Sequence, residues 1–79
     1  MPTPKAEAEW AARAGAFLKR KLRDQEVTYV ELAKRLKRHG FKETEASITM
    51  NLKRGTFSAT FLLACIAALE LEAILFEEL

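Results

Sequence analysis

Between Val27 and Gly55 the chain reads VTYVELAKRLKRHGFKETEASITMNLKRG and is punctuated at short intervals by residues that start and stop helices. Thr28 and Glu31 form the pattern T-x-x-E. In that pattern the threonine hydroxyl accepts a hydrogen bond from the amide of Glu31, and the glutamate reaches back to the amide of Thr28. Behind the cap, Leu32, Ala33 and Leu36 share one helical face, with Lys34, Arg35 and Lys37 largely off it. Gly40 supplies the left-handed conformation that ends this helix. Thr44 caps a second helix, in which Ile48 and Leu52 stack one turn apart, and Gly55 closes it. The stretch predicts two short helices around a glycine-containing turn, a helix-turn-helix pattern.

The flanks predict further helices and no strand. Residues 1–4, MPTP, read as a disordered lead. From about Lys5 to Asp24, the spacing of Trp10, Ala14, Phe17, Leu18 and Leu22 gives one apolar stripe for the core. Gly15 lowers helix propensity there by about 1 kcal/mol against alanine and marks a close helix crossing. Ser58 caps a run that is apolar on nearly every side as far as Leu69, with Phe61, Leu62, Cys65, Ile66 and Leu69 as its packing face. A last short helix is expected from about Glu72 to Glu78. The expected fold is therefore all-α: one compact domain of four or five helices over residues 5–79. Its helix-turn-helix unit occupies about 28–55, and its apolar C-terminal helices about 58–79.

Charge is distributed unevenly. Residues 1–18 balance, residues 19–54 hold eleven Lys or Arg against five Asp or Glu, and residues 55–79 hold four Glu with no Lys or Arg. A basic body with an acidic end suits an anionic partner for the body. A single Cys, with no apolar leader at the N-terminus, points to a cytoplasmic protein. Glu70 and Glu72 interrupt the apolar run, so no membrane span is expected. His39 and Cys65 are the only residues of their kinds and fall in different elements, and Gly15, Gly40 and Gly55 stand alone. No metal site, cofactor, small-molecule substrate or enzymatic activity is expected from them.

A helix-turn-helix unit in a basic body is used mainly to place its later helix on double-stranded DNA. With Ile48 and Leu52 facing the core, the helix of about 44–54 presents Ala46, Ser47, Met50, Asn51, Lys53 and Arg54. Asn51 is able to bond an adenine edge through both amide atoms, Ser47 to donate or accept, and Met50 or Ala46 to touch a thymine methyl. Lys42, Lys53, Arg54 and Arg38 are the candidates for holding phosphate, together with the Tyr29 hydroxyl. Large apolar residues are also concentrated between Leu71 and Leu79, more than a small monomer covers, which predicts a homodimer. Leu71 and Leu75 are expected to cover the monomer's own core, with Ile74, Phe76 and Leu79 meeting their symmetry mates. A second reading keeps the fold as a non-enzymatic protein-interaction module that works through the apolar end without binding DNA. Glu43 and Glu45 lean toward it, because they favour the helix dipole but repel phosphate.

The order of elements also resembles a known family. A long first helix, T-x-x-E-L-A-x-x-L from Thr28 to Leu36, a helix ending at Arg54-Gly55, and the Ser58-capped apolar helix are similar to the phage-repressor (lambda repressor and Cro) helix-turn-helix domains. The likeness spans roughly residues 10–70 and implies a small dimeric transcriptional regulator that reads the major groove. Two departures stand out. The turn KRHGFKETE is longer by about one helical turn, and Tyr29 stands where that family commonly has a phosphate-holding Gln. The patterns W-A-x-R, T-Y-x-E-L, G-x-x-E-T and R-G-x-F-S-A-x-F resemble, more specifically, a small bacterial family known only as a domain of unknown function. That likeness implies no established activity.

Overall fold

The computed structural model describes residues 4–79. Helices α1 (Pro4–Asp24), α2 (Tyr29–Arg38), α3 (Glu45–Arg54) and α4 (Ala59–Ala68) follow in order, and a 3-10 turn (Phe76–Glu78) lies near the end. No strand occurs among the described residues. Residues 1–3 of the expected lead lie outside the described residues, whereas Pro4 opens α1, where a missing N–H breaks no helical bond.

Helices α2, α3 and α4 have 10 residues each. Such lengths are marginal in isolation, so their ends and buried faces must hold them. Thr28 Oγ1 accepts from the amide of Glu31 at 3.1 Å, and Ser58 Oγ from that of Phe61 at 3.1 Å. The glutamate half of the expected Thr28 box is replaced by an ion pair, with Glu31 Oε1 lying 3.6 Å from Arg35 Nε. The reciprocal box forms instead at Thr44, closed by Ser47.

Three helices end in one hydrogen-bonding scheme, in which two successive amides turn back onto carbonyls of the last turn. At α2 these are Gly40 to Lys37 and Phe41 to Leu36, both at 3.0 Å. At α1 they are Glu26 to Arg23 and Val27 to Leu22, and at α4 Glu70 to Ala67 and Leu71 to Ile66. The left-handed residue is Gly40 in one case but Glu26 (φ 56°) and Glu70 (φ 55°) in the others. Both glutamates adopt a conformation that costs an L-residue about 1–2 kcal/mol.

The core joins Phe17, Leu18 and Leu22 of α1, Val27 of the loop that follows, Leu32 and Leu36 of α2, Ile48 and Leu52 of α3, and Phe61, Ala64, Cys65, Ala68 and Leu69 from α4 and its end. Leu62 and Ile66, expected on the packing face of α4, sit half-buried at its margin, and the small residues Ala64 and Ala68 take the interior. Helix α3 packs on α1 and α2, and α4 on α2. The α1–α3 crossing is close, as Gly15 predicts. A Cβ on Gly15 would lie 2.5 Å from the Leu52 carbonyl oxygen, and one on Gly55 would collide with the Ala11 carbonyl.

The C-terminal segment departs from expectation. After Glu70 the chain does not resume an α-helix, and only residues 76–78 turn. The roles expected for Leu71, Ile74, Leu75 and Leu79 presupposed a helix over about 72–78, but left-handed Glu70 sends the chain back across α1 as a strap. Glu78 fixes it: its carboxylate lies 2.7 Å from Lys21 Nζ, and its carbonyl accepts from the Arg20 guanidinium. Ile74 and Leu79 enter a small apolar slot with Ala14, Phe17 and Leu62. Both pack, half-buried, against the monomer's own core. Leu75, expected inside, is 56% exposed, and Trp10, expected in the core stripe, is 48% exposed. Trp10 sits at the core's margin, its ring met edge-on by Phe76 at 6.0 Å between centroids and covered on one side by Arg13.

Candidate nucleic-acid interface

Helix α3 has two unlike sides. Ile48 and Leu52 are fully buried, whereas Glu45, Ala46, Thr49, Met50, Lys53 and Arg54 are exposed. The Thr49 hydroxyl donates to the Glu45 carbonyl at 2.8 Å, so its methyl group is what remains for the surface. The middle of the exposed side is thus small and apolar: Ala46, the Thr49 methyl and Met50, which is 54% exposed.

The N-terminal end of α3 is held by a polar knot. The Thr44 amide donates to Ser47 Oγ at 2.8 Å, the Ser47 amide donates to Thr44 Oγ1 at 3.1 Å, and Ser47 Oγ donates to Glu43 Oε1 at 2.7 Å. The Ser47 hydroxyl, expected to be free for a base edge, is committed to this cap. The same contact turns Glu43 inward and half-buries it. Its charge is felt at Cys65, whose thiol is pushed up to about 12, chiefly by burial and secondarily by Glu43. Of the two carboxylates at the start of α3, Glu45 is the exposed one.

Cations flank α3 at both ends. Before it, Lys42 shares a groove with Lys34, Lys37, Ala33, Phe41, Glu43 and Thr44. Lys34 and Lys37 were not singled out from the sequence. Their spacing of three on α2 puts them on one outward edge, but only the fold shows that edge beside Lys42. In the last turn of α3, Lys53 and Arg54 border a cleft with Glu7, Ala8, Ala11 and Ala12 of α1 and with Thr56. At 1.5 Å per residue, α3 separates the two basic ends by about 15 Å. Asn51 is half-buried, and its Oδ1 accepts from Arg54 Nη2 at 3.2 Å. This bond orients both side chains at the C-terminal end of the helix.

Two expected phosphate contacts lie elsewhere. Arg38 borders a different cleft, with Glu31, Arg35, His39, Ala67, Ala68 and Glu70. Arg35 in that cleft donates to the Ala68 carbonyl at 3.2 Å, satisfying the end of α4. Tyr29 packs half-buried against the core at the first position of α2. The structure therefore brings Lys42, Met50, Asn51, Lys53 and Arg54 together along α3, and sets Arg38 and Tyr29 apart from them. Among the described residues no group of three or more His, Cys, Asp or Glu gathers as metal ligands. No helix is long and apolar enough to cross a membrane.

No match to the chain was found among curated proteins or among solved structures. A family model does match, over residues 10–74, from Trp10 within α1 through α2, α3 and α4 to the strap residue Ile74. The chain accordingly belongs to the family described as Domain of unknown function (DUF6471).

Proposed function

We propose that this protein is a DNA-binding module, acting as a small transcriptional regulator in the cytoplasm, in which α3 enters the major groove. One observation carries the reading: α3 exposes a small, apolar middle between two basic ends about 15 Å apart. A major groove about 12 Å wide admits one helix, and cations at both ends of that helix face the phosphates on either side. Lys34, Lys37 and Lys42 serve one strand and Lys53 and Arg54 the other. Ala46, Thr49 and Met50 supply methyl contacts to thymine, and Asn51 is the amide within reach of an adenine edge. Glu43, which borders the same groove as the three lysines, is engaged by the Ser47 hydroxyl. The order of elements, which resembles phage-repressor helix-turn-helix domains, supports the same reading by analogy of fold alone. The alternative, a protein-interaction module without DNA binding, uses the apolar surface around Trp10 and Phe76 instead.

An amide NMR titration with duplex DNA tests this reading. The expected result is that shifts concentrate at residues 42–55 and at Lys34 and Lys37, leaving residues 70–79 unmoved. Shifts confined to the strap, or none at low salt, would reject it in favour of the alternative.

A further inference from the structure

The strap leaves an apolar surface uncovered on the side of α1. Phe76 is 74% exposed, and it stands against Trp10 and next to Leu75, both about half exposed. Large aromatic side chains left this open are an interaction surface. We infer that this surface, centred on Trp10, Leu75 and Phe76, binds the same surface of a second copy of the chain about a two-fold axis.

The charges around the patch select that occupant. At its Trp10 end stands Arg13, with its guanidinium 4.9 Å from the centre of the indole ring. At its Phe76 end stands the exposed carboxylate of the next residue, Glu77. Neither Arg13 nor Glu77 has an ion-pair partner among the described residues. Glu7 also borders Trp10, so the complementarity rests on one pair: an unpaired cation beside Trp10 and an unpaired carboxylate beside Phe76 meet their opposites under a two-fold rotation, as an isologous contact requires. Arg13 of one copy then meets Glu77 of the other, twice per dimer, around a centre of Trp10 and Phe76. The surface differs from the one expected from sequence. Phe76 stays in it, Ile74 and Leu79 leave it for the slot, and Trp10 and Leu75 join it.

The test combines sedimentation equilibrium with fluorescence of Trp10, the only tryptophan in the chain. Across about 10 μM to about 1 mM protein the parent is expected to pass toward dimer, its Trp10 emission moving to shorter wavelength in step. Phe76→Glu, and separately Leu75→Glu, are expected to stay folded by circular dichroism and monomeric throughout. Arg13→Glu and Glu77→Arg are each expected to weaken association about 3–10-fold at low salt, while the double swap restores it. A parent that remains monomeric at about 1 mM overturns the inference. So does a Phe76→Glu dimer of undiminished stability, or a double swap no better than the single variants. DNA binding of the monomeric variants is scored separately, so failure here leaves the α3 reading intact.

Discussion

Gly15→Ala sets two effects of known size against each other. In a helix interior, alanine is favoured over glycine by about 1 kcal/mol, so propensity alone predicts stabilisation. The new methyl carbon, however, lies 2.5 Å from the Leu52 carbonyl oxygen, against the 3.0 Å below which real Cβ contacts essentially never fall. The obstacle is helical backbone, not a side chain that can swing away, so α1 and α3 must part by about half an ångström. Overpacking of this kind costs about 1–3 kcal/mol, and separation also loosens Ile48 and Leu52 from their neighbours. The expected net loss is about 1–2 kcal/mol, or roughly 4–16 °C in Tm at the 4–8 °C per kcal/mol of a domain this small. Urea and thermal unfolding followed by circular dichroism measure it. Gly40→Ala is the comparison: nothing lies within 4 Å of its Cβ, but φ is +85°, so strain alone acts. A Gly15→Ala protein more stable than the parent would refute the close crossing that seats α3.

Three further outcomes are expected. Glu70→Gly relieves a left-handed residue at the end of α4 and should stabilise the fold by about 0.5–1 kcal/mol; a lower Tm would mean that the glutamate side chain makes a compensating contact. The Cys65 thiol is raised from 9.0 to about 12, above its unfolded value, so its contribution is full below about pH 9 and is lost as pH rises toward about 12. That contribution is at most about 4 kcal/mol, and Cys65→Ala should flatten the alkaline fall in unfolding free energy, whereas parallel curves would contradict the burial argument. Glu45→Gln removes the exposed carboxylate at the start of α3 and should raise duplex affinity about threefold at low salt, without changing sequence preference; unchanged affinity would place Glu45 away from phosphate.

What the sequence made legible was governed by local rules. Thr28, Thr44 and Ser58 cap helices because their hydroxyls reach an amide three residues on, and the Ile48–Leu52 spacing fixes which side of α3 is buried. Gly15 signalled the close crossing because a glycine inside a strong helix pattern needs a packing reason. The illegible parts depend on contacts distant in the chain. Glu26 and Glu70 turn left-handed with no glycine to announce it, and the strap's course is set by Glu78 meeting Lys21 and Arg20. Reading residues 72–78 as helical therefore reversed the roles of Ile74, Leu75 and Leu79. In the candidate interface, the solvent side of α3 was readable. The capture of Ser47 by Thr44 and Glu43, the company Lys34 and Lys37 keep with Lys42, and the separation of Arg38 were not.

The central claim is that cations at both ends of α3 hold the phosphates of a duplex. Binding of a labelled duplex, measured by anisotropy across about 50–200 mM salt, tests it most directly. Five contacts, from Lys34, Lys37, Lys42, Lys53 and Arg54, predict a log–log slope of about −4 to −5. Replacing Lys42 and Lys53 together with alanine should bring that slope down by about 2, one unit from each end of the helix. No binding at the lowest salt, or a slope that the double variant leaves unchanged, would contradict the account.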